Sequence, residues 1–327
     1  MAAAKTRWGI LGTGRIARVL AEAIRRSDYG ELVAVGSRDR ARAEAFAAEE
    51  GAARSYGSYE KLLAAADVQI VYNALPNTLH HEWTVRAAEA GKHILCEKPL
   101  AVTVAEAEAM FAAAEAHGVL LMEAFMYRCH PQTARLRELV AEGEIGELRL
   151  IHSTFGFFVT DPANIRLSAP LAGGGLMDVG CYCLNFSRTM AGEEPARVCA
   201  VARYGPESGV DEQLAGTLDF PSGAIAQFDV GVKSAGRAFA EIAGSEGRII
   251  VPNPWKPAEQ SLVTIEGKHP RELQLDAKNA YVLQVDHFAQ CVTAGARPEV
   301  TKADSIANTA AICAVRQSAR EGRPVAL

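Results

Sequence analysis

The sequence predicts an α/β domain with a doubly wound parallel sheet, followed by an α+β domain with a large, open, mainly antiparallel sheet. Strand-like and helix-like segments alternate over the first ~120 residues, which is the pattern of a parallel sheet with helices on both faces. From Leu148 onward, strand-like runs follow one another and are joined by turns rich in Gly, Pro and Ser. These runs are Leu148–Phe158, Val198–Tyr204, Gln213–Phe220, Ala224–Val232, Ala238–Ala243 and Arg248–Val251. We therefore predict two domains, residues 1–124 and residues 125–327.

The composition is that of a packed globular protein, with 49% hydrophobic and 22% charged residues in a chain of 327. The formal net charge of −5 gives no electrostatic reason for a nucleic-acid or anionic-membrane partner. No apolar run reaches the roughly 20 residues that span a bilayer. Residues 1–7 carry no signal-peptide core, so we expect a cytoplasmic protein that binds neither nucleic acid nor membrane.

The seven cysteines are an odd number at scattered positions, which favours reduced thiols. Cys181 and Cys183 stand two apart, but no second Cys/His pair at zinc spacing accompanies them. We expect no metal site.

The first strand, Arg7–Leu11, runs into a glycine-rich turn and then into a helical pattern, Ile16–Arg26. The turn reads G-x-G-x-x-A, which binds a dinucleotide when it follows a strand and opens a helix. Gly12 permits the tight turn, and Gly14 lets the backbone approach a pyrophosphate at the helix N-terminus. The predicted cofactor contacts in this loop are Gly12, Thr13, Gly14, Arg15 and Ile16.

The end of the second strand, Leu32–Gly36, decides between NAD and NADP. An acidic residue there would bond the ribose 2′-hydroxyl of NAD, whereas arginine suits the 2′-phosphate of NADP. Ser37 and Arg38 follow this strand, while Asp39 is placed to cap the helix that starts at Arg40. The sequence therefore favours NADP over NAD, with Ser37 and Arg38 as ligands.

Further strands and helices complete the alternation: strands Val68–Tyr72, His93–Cys96 and Leu120–Ala124, and helices His80–Ala90 and Thr103–His117. Thr103 and Glu106 form a capping-box sequence at the start of the second helix. The loops after the strands lie at the carboxyl edge of the sheet, where such folds bind ligands. Cofactor contacts are predicted there at Asn73, Leu75, Pro76, Asn77, His80, Glu97 and Lys98.

Lys98 is the first candidate for chemistry. Its strand is stopped at once by Pro99, and a residue before proline is pushed into extended geometry, so Lys98 would project from a strand end. The alternative is a solvated charge pair with Glu97. In the second half, the helical pattern Leu176–Ala191 places Asp178 and Tyr182 four residues apart on one face.

Taken in order, these motifs resemble the glucose–fructose oxidoreductase/inositol dehydrogenase (Gfo/Idh/MocA) family over nearly the full chain. The motifs are the strand with its glycine loop, Ala74-Leu75-Pro76-Asn77 with His80, Glu97-Lys98-Pro99, and Asp178-Val179-Gly180-Cys181-Tyr182. Residues 122–132 and 173–182 resemble the branch of NADP-dependent D-xylose dehydrogenases and trans-dihydrodiol dehydrogenases. Many other members carry His where this chain has Tyr182. The resemblance implies that residues 1–124 bind the dinucleotide and that residues 125–327 bind the substrate and mediate dimerisation. The expected assembly is a homodimer or a dimer of dimers formed through the C-terminal sheet.

The resemblance also implies that Lys98 pairs with the tyrosine on the helix of the second domain. Oxidation of an alcohol removes the O–H proton while a hydride leaves to the nicotinamide. A phenol with a pKa near ~10 is a poor base at neutral pH, but a neighbouring ammonium lowers that pKa. We therefore predict Tyr182 as general acid/base, Lys98 as its electrostatic partner and Asp178 as the group that holds a sugar hydroxyl or orients the pair. Lys98 as the proton acceptor is the alternative.

Four residues are weaker candidates. Arg128 is predicted to contact the cofactor, and Arg166 and Tyr127 to contact cofactor or substrate. Trp255 either offers a ring face to the substrate or is packed at an edge.

The predicted function is hydride transfer between NADP and a sugar of the D-xylose or D-glucose type, or a cyclic trans-diol. The alternatives are an NAD-dependent glycosidase of the same fold and a non-catalytic dinucleotide-sensing regulator.

Overall fold

A computed structural model describes residues 5–327. The strands are β1 (Thr6–Leu11), β2 (Gly30–Gly36), β3 (Arg54–Tyr56), β4 (Ile70–Asn73), β5 (His93–Cys96), β6 (Leu121–Glu123), β7 (Leu148–Phe158), β8 (Arg197–Tyr204), β9 (Asp211–Asp219), β10 (Ile225–Gly231), β11 (Lys233–Gly244), β12 (Arg248–Val251), β13 (Gln260–Glu266), β14 (Arg271–Asp276) and β15 (Val325–Ala326). The α-helices are α1 (Arg15–Arg26), α2 (Arg40–Glu50), α3 (Tyr59–Leu63), α4 (His80–Glu89), α5 (Val104–Ala116), α6 (Pro131–Ala141), α7 (Cys181–Ala191), α8 (Ala280–Ala294) and α9 (Lys302–Glu321).

The first compact unit contains residues 5–129 and 278–305. Its strands form a parallel sheet in the order β3-β2-β1-β4-β5-β6. This is the strand order of a doubly wound dinucleotide-binding domain, in which the order reverses between β1 and β4. The predicted fold class of the N-terminal half is confirmed.

Local sequence accounts for the helix starts in this unit. Thr103 Oγ1 accepts the N–H of Glu106 at 3.2 Å, and Glu106 Oε2 accepts the N–H of Thr103 at 3.1 Å, so the predicted capping box is formed. Asp39 Oδ1 accepts the N–H of Arg42 at 3.2 Å, so the carboxylate caps α2 as predicted.

Helix α8 is part of the first unit, although the sequence-based boundary after residue 124 assigns it to the second domain. Its side chains Val282, Val285 and Phe288 are buried, and the Phe288 ring lies edge-to-face with Trp8 of β1 at 6.1 Å. This apolar face of α8 packs against α1 and β2, which shield it from water. The pattern of a helix near the C-terminus does not show which sheet will cover it.

The second compact unit contains residues 130–277 and 306–327. Its strands form a nine-stranded sheet in the order β14-β13-β12-β11-β7-β10-β9-β8-β15, in which only the β7–β10 pair is parallel. The prediction of a large, mainly antiparallel sheet is confirmed. The last predicted run is Arg248–Val251, so strands β13, β14 and β15 were missed. In β13 the burial alternates, with Ser261, Val263 and Ile265 inward, but the sequence run mixes this alternation with exposed Leu262.

Candidate active site

Four strand ends lie side by side at the carboxyl edge of the parallel sheet. Main-chain bonds join Gly12 N to Gly36 O at 2.9 Å, Ala74 N to Leu11 O at 3.1 Å, and Glu97 N to Asn73 O at 3.0 Å. These bonds bring the loops after β2, β1, β4 and β5 together at the point where the strand order reverses. Ligands of doubly wound sheets bind at this point.

The glycine loop has the geometry that a dinucleotide loop requires. Gly12 has a φ of +101°, and a Cβ there would lie 3.3 Å from Ala74 O, so both conformation and space require glycine. Gly14 is the N-cap of α1, no side chain caps the helix, and a Cβ on Gly14 would meet no protein atom within 4 Å. The first N–H groups of α1 are thus turned to the surface, where they suit a pyrophosphate.

Ser37 and Arg38 follow the end of β2. The next residue, Asp39, is acidic and caps α2. Ser37 is buried and its Oγ accepts the N–H of Asp39 at 3.2 Å. Arg38 is exposed and hydrogen-bonds the side chain of Tyr59; burial raises the pKa of this phenol, and the Arg38 charge partly offsets the effect. Tyr59 therefore supports the guanidinium, and sequence reasoning missed it because it lies 21 residues further along the chain.

Asn73 and His80 are buried in the loop after β4. Asn73 Nδ2 donates to His80 O and to Thr84 Oγ1, both at 3.2 Å, and Asn73 Oδ1 accepts the N–H of Leu75 at 3.4 Å. The two ring nitrogens of His80 lie 2.8 Å from Leu75 O and 2.9 Å from Pro99 O. Both residues thus hold the loops that follow β4 and β5, and their direct contact with a cofactor stays a prediction. Pro76 and Asn77 are half-buried in the same loop.

Glu97 and Lys98 end β5. The buried Glu97 carboxylate accepts the hydroxyl of Tyr72 and, at 3.3 Å, the N–H of Lys98. Lys98 is half-buried and is joined to Pro99 by a cis peptide bond. The two neighbours therefore differ in burial: Glu97 is buried, and Lys98 is half-buried at the end of the strand.

Tyr281, in the first turn of α8, is a further member of this edge that sequence reasoning missed. Burial raises the pKa of its phenol to about 12; the Glu97 charge adds to the effect, and the charges of Lys98 and Arg15 oppose it. The signal available in the sequence was Asn279, a residue type that caps helices and so marks the helix start that carries Tyr281. The Asn279 side chain accepts the N–H of Tyr281 at 2.9 Å.

Arg128, predicted as a cofactor contact, is buried and paired with carboxylates of its own unit. Its guanidinium lies 2.6 Å from Asp304 Oδ2 and 3.4 Å from Glu299 Oε1. Tyr127 is fully buried, with its ring edge-to-face against Phe125 at 6.1 Å. Both residues have structural contacts that account for their burial, and their contact with cofactor or substrate stays a prediction.

In the second unit, the predicted helix Leu176–Ala191 begins with a π-helical turn, Leu176–Gly180, and continues as α7. The N–H of Cys181 donates to Leu176 O, five residues back, as π-helical geometry requires. The turn carries Asp178, and Tyr182 is the second residue of α7. Such turns are frequent at functional sites.

Tyr182 is buried within an aromatic cluster of the second unit. Its ring lies edge-to-face with Phe155 at 5.6 Å and 6.0 Å from the ring of Trp255. Trp255 is 1% exposed, stacks on Phe155 at 5.7 Å and donates its Nε1–H to Thr154 O at 3.0 Å. Of the two interpretations left open for Trp255, packing is therefore correct, and its rings fix the orientation of Tyr182.

Asp178 is paired with Arg166, one of the weaker candidates. Arg166 Nε donates to Asp178 Oδ2 at 2.6 Å, and its main-chain oxygen accepts the N–H of Gly174 at 2.8 Å. The structure therefore joins a predicted catalytic carboxylate to the loop 160–175, which precedes it.

Residues 5–327 contain neither a metal-binding cluster nor a membrane-spanning helix. No group of three or more His, Cys, Asp or Glu side chains is arranged to hold a metal ion. No helix in this part of the chain has the length and apolarity needed to cross a bilayer.

Comparison with known proteins defines the class. Residues 6–125 match the family model described as "Oxidoreductase family, NAD-binding Rossmann fold", and residues 133–250 match the "GFO/IDH/MocA C-terminal domain". The protein is thus an oxidoreductase with a dinucleotide-binding domain and a separate C-terminal domain. The chain belongs to the Gfo/Idh/MocA family.

Three relatives are similar over almost their whole length. D-xylose 1-dehydrogenase (NADP(+)) 2 of Haloferax volcanii is 39% identical over 98% of this chain and 99% of its own. The trans-1,2-dihydrobenzene-1,2-diol dehydrogenase of Mus musculus is 34% identical over 91% and 92%. A 3-ketoreductase of Actinomadura kijaniata, solved with NADP and TDP-benzene, is 33% identical with a TM-score of 0.91, covering 96% of this chain and 98% of its own.

These findings confirm the family, the fold class and the oxidoreductase class that the sequence predicts. The names of two of the three relatives specify NADP, in agreement with the predicted cofactor.

Proposed function

We propose that this protein transfers a hydride between NADP and a carbinol or hemiacetal carbon of a sugar of the D-xylose or D-glucose type, or of a cyclic trans-diol. The observation that carries the proposal is the environment of Tyr182, a phenol enclosed by aromatic rings on a helix that also bears Asp178. Relatives named for a sugar and for a diol substrate support the same substrate class.

The first unit would hold the cofactor. The N–H groups at the start of α1 suit the pyrophosphate, and Gly14 leaves room for it. Ser37 and Arg38 would bind the 2′-phosphate, because a guanidinium donates two hydrogen bonds to a phosphate in a fixed geometry. When bound, the nicotinamide supplies the hydride acceptor.

The protein would supply the proton transfer. In the oxidation direction, Tyr182 takes the substrate O–H proton while the C–H bond breaks, so the products are a carbonyl compound, NADPH and a proton. The ammonium of Lys98 would lower the pKa of the phenol and stabilise the developing alkoxide. The alternative, in which Lys98 itself accepts the proton, remains part of the proposal. Asp178, oriented by Arg166, would accept a hydrogen bond from a substrate hydroxyl.

The test is the formation of reduced nicotinamide, followed by absorbance, when the protein is mixed with NADP⁺ and a panel of aldoses, inositols and cyclic trans-diols. Tyr182→Phe retains the ring in its aromatic cluster and removes the hydroxyl, so we expect kcat to fall by roughly 10²-fold or more. The affinity for NADP should be unchanged. Tyr204→Phe is the matched control, because Tyr204 lies on β8 and is exposed.

Two results would overturn the proposal. One is no reduction with any member of the panel. The other is cleavage of glycosides without net change in the nicotinamide, which would identify the glycosidase alternative.

We also propose a homodimer, or a dimer of dimers, formed through the open face of the nine-stranded sheet. Val201 of β8 and Ile225 of β10 are 69% and 42% exposed, and large exposed apolar side chains on one sheet face favour a protein interface. The pairing of both strands with β9 places these two residues on the same face. Val201→Asp should lower the molecular mass measured by light scattering. A monomer mass for the wild-type protein would exclude the dimer.

We place the protein in the cytoplasm. All seven cysteines lie in the described residues and none forms a disulfide, as is usual in a reducing compartment. Fractionation of cells that express the full chain tests this assignment.

A further inference from the structure

Three consecutive glycines, Gly173 to Gly175, lead into the π-helical turn that carries Asp178. The chain here passes directly beside Asp211, the first residue of β9. Asp211 Oδ2 accepts the N–H of Leu176 at 2.6 Å. A Cβ on Gly174 would collide with Asp211 Oδ1, and Gly174 has a φ of +110°. The carboxylate therefore occupies the space that a side chain on the loop would need.

The same glycines are held from the other side by Arg166, which lies earlier in the loop 160–175. Gly174 N donates to Arg166 O at 2.8 Å, and Gly174 O accepts the N–H of Asp178 at 3.0 Å. A Cβ on Gly173 would lie 2.5 Å from Arg166 O. The start of the turn is thus enclosed between Arg166 and Asp211, and only main-chain atoms fit between them.

Asp211 is a carboxylate in an unfavourable environment. Burial raises its pKa to about 6, although the hydrogen bond from Leu176 N and the charges of Arg316 and Arg320 on α9 lower it. Its neighbour Glu212 is bonded to Ser208 Oγ at 3.0 Å. A carboxylate that is half-buried at a cost in desolvation, and that accepts a main-chain N–H, calls for an explanation beyond stability.

We propose that Asp211 is a positioning residue, which fixes the Leu176 N–H and the three-glycine run and thereby sets the position of Asp178 and Tyr182. Asp211 acts through the main chain at the start of the turn and takes no part in proton transfer. This inference rests on the proposed function, since it concerns the helix that bears the proposed general base. A displacement of about 1 Å at a reacting group can cost roughly 10²-fold in rate.

The experiment compares Asp211→Ala, Asp211→Asn and the matched control Asp219→Ala. Asp219 lies at the other end of the same strand and pairs with Arg197. At pH 8 we expect Asp211→Ala to lower kcat by roughly 10²-fold. Asp211→Asn should lower it by only about fivefold, because its amide oxygen still accepts the Leu176 N–H but without the charge. The dissociation constant of NADP should be the same in all four proteins.

The pH profile separates positioning from general damage. The ratio of wild-type to Asp211→Asn kcat should fall from about fivefold at pH 8 toward one at pH 5, because the wild-type carboxyl becomes neutral below a pKa of about 6. A constant ratio, or Asp211→Ala with wild-type kcat, would overturn the proposal. If Asp211→Ala does not fold, the Asp211→Asn profile alone decides.

A second readout does not need turnover. Trp255 lies 6.0 Å from the Tyr182 ring, so movement of α7 should change tryptophan emission. We expect Asp211→Ala to alter the emission and Asp219→Ala to leave it unchanged. An altered emission together with no NADP reduction by the wild-type protein would refute the proposed function and retain the positioning role. Unaltered emission in a folded Asp211→Ala variant would refute that role.

Discussion

The guanidinium of Arg166 donates through Nε to Oδ2 of Asp178 at 2.6 Å. The same guanidinium lies 5.5 Å from the centroid of the Phe157 ring. An ion pair and a cation–π contact therefore both fix the position of the Arg166 side chain. Arg166 thus sets the orientation of the carboxylate that we assign to a substrate hydroxyl. A residue that the sequence offered only as a weak candidate therefore belongs to the proposed substrate site.

Loss of Arg166 should weaken substrate binding more than chemistry. In Arg166→Ala the Asp178 carboxylate loses its partner and its fixed orientation, so we expect KM for the sugar or diol to rise by roughly tenfold, the effect of about 1.4 kcal/mol. The affinity for NADP should stay the same. Steady-state kinetics check this, with Arg197→Ala as control because Arg197 forms a similar pair with Asp219 on the second-unit sheet. A fall in kcat with unchanged KM would contradict the assignment.

The choice between NADP and NAD should depend on Arg38. Removal of its guanidinium in Arg38→Ala takes away a charged hydrogen-bond donor for the 2′-phosphate, so we expect kcat/KM for NADP to fall by at least roughly tenfold. The value for NAD should change little. Arg42→Ala is the control, because Arg42 is similarly exposed but lies beside Asp39. An unchanged preference would remove Arg38 from the phosphate site.

Local sequence patterns predicted most of the architecture. The alternation of strands and helices, the capping box at Thr103 and the cap at Asp39 depend on residues within a few positions of one another, and each was formed where predicted. The placement of α8 and the last strands of the second sheet were not predicted. The apolar face of α8 carries no information about which sheet covers it, and the alternation in β13 is interrupted by exposed Leu262.

The site was predicted less completely, for the same reason. Lys98 and Tyr182 belong to recognisable motifs, but Asp211 and its partner Leu176 are 35 residues apart and share no pattern. Tyr59 beside Arg38 and Tyr281 near Lys98 were likewise not recognised. Such supporting contacts arise from packing between distant segments, and spacing in one sequence does not reveal them.

The two glycines of the dinucleotide loop should respond differently to alanine. At Gly14 the backbone φ is −75° and a Cβ meets no protein atom, so Gly14→Ala should leave the thermal midpoint unchanged. The added methyl would lie where the pyrophosphate approaches, and we expect NADP affinity to fall by roughly tenfold or more.

At Gly12 the φ of +101° makes any side chain strained, so Gly12→Ala should lower stability by about 1 kcal/mol or more. Calorimetry and NADP titration test both, and equal stability loss in the two variants would contradict this interpretation of the loop.

The half-buried carboxyl of Asp211 should make stability depend on pH. Its pKa is raised to about 6 from 3.8, so the folded state binds the proton more tightly than the unfolded state does. The stabilising contribution of the protonated form is complete below pH 3.8 and is lost as pH rises through about 6. Asp211→Asn does not titrate, and the free energy of unfolding of this variant relative to wild type should therefore increase by about 2 kcal/mol between pH 4.5 and pH 7.5. Urea unfolding at the two pH values measures this difference, with Asp219→Asn as control for the loss of another carboxylate on the same strand. A relative stability that is constant across this range would show that Asp211 is not the protonated group. An increase together with the fivefold loss of kcat at pH 8 would show that the ionised carboxylate lowers the stability of the fold while it improves the position of Tyr182.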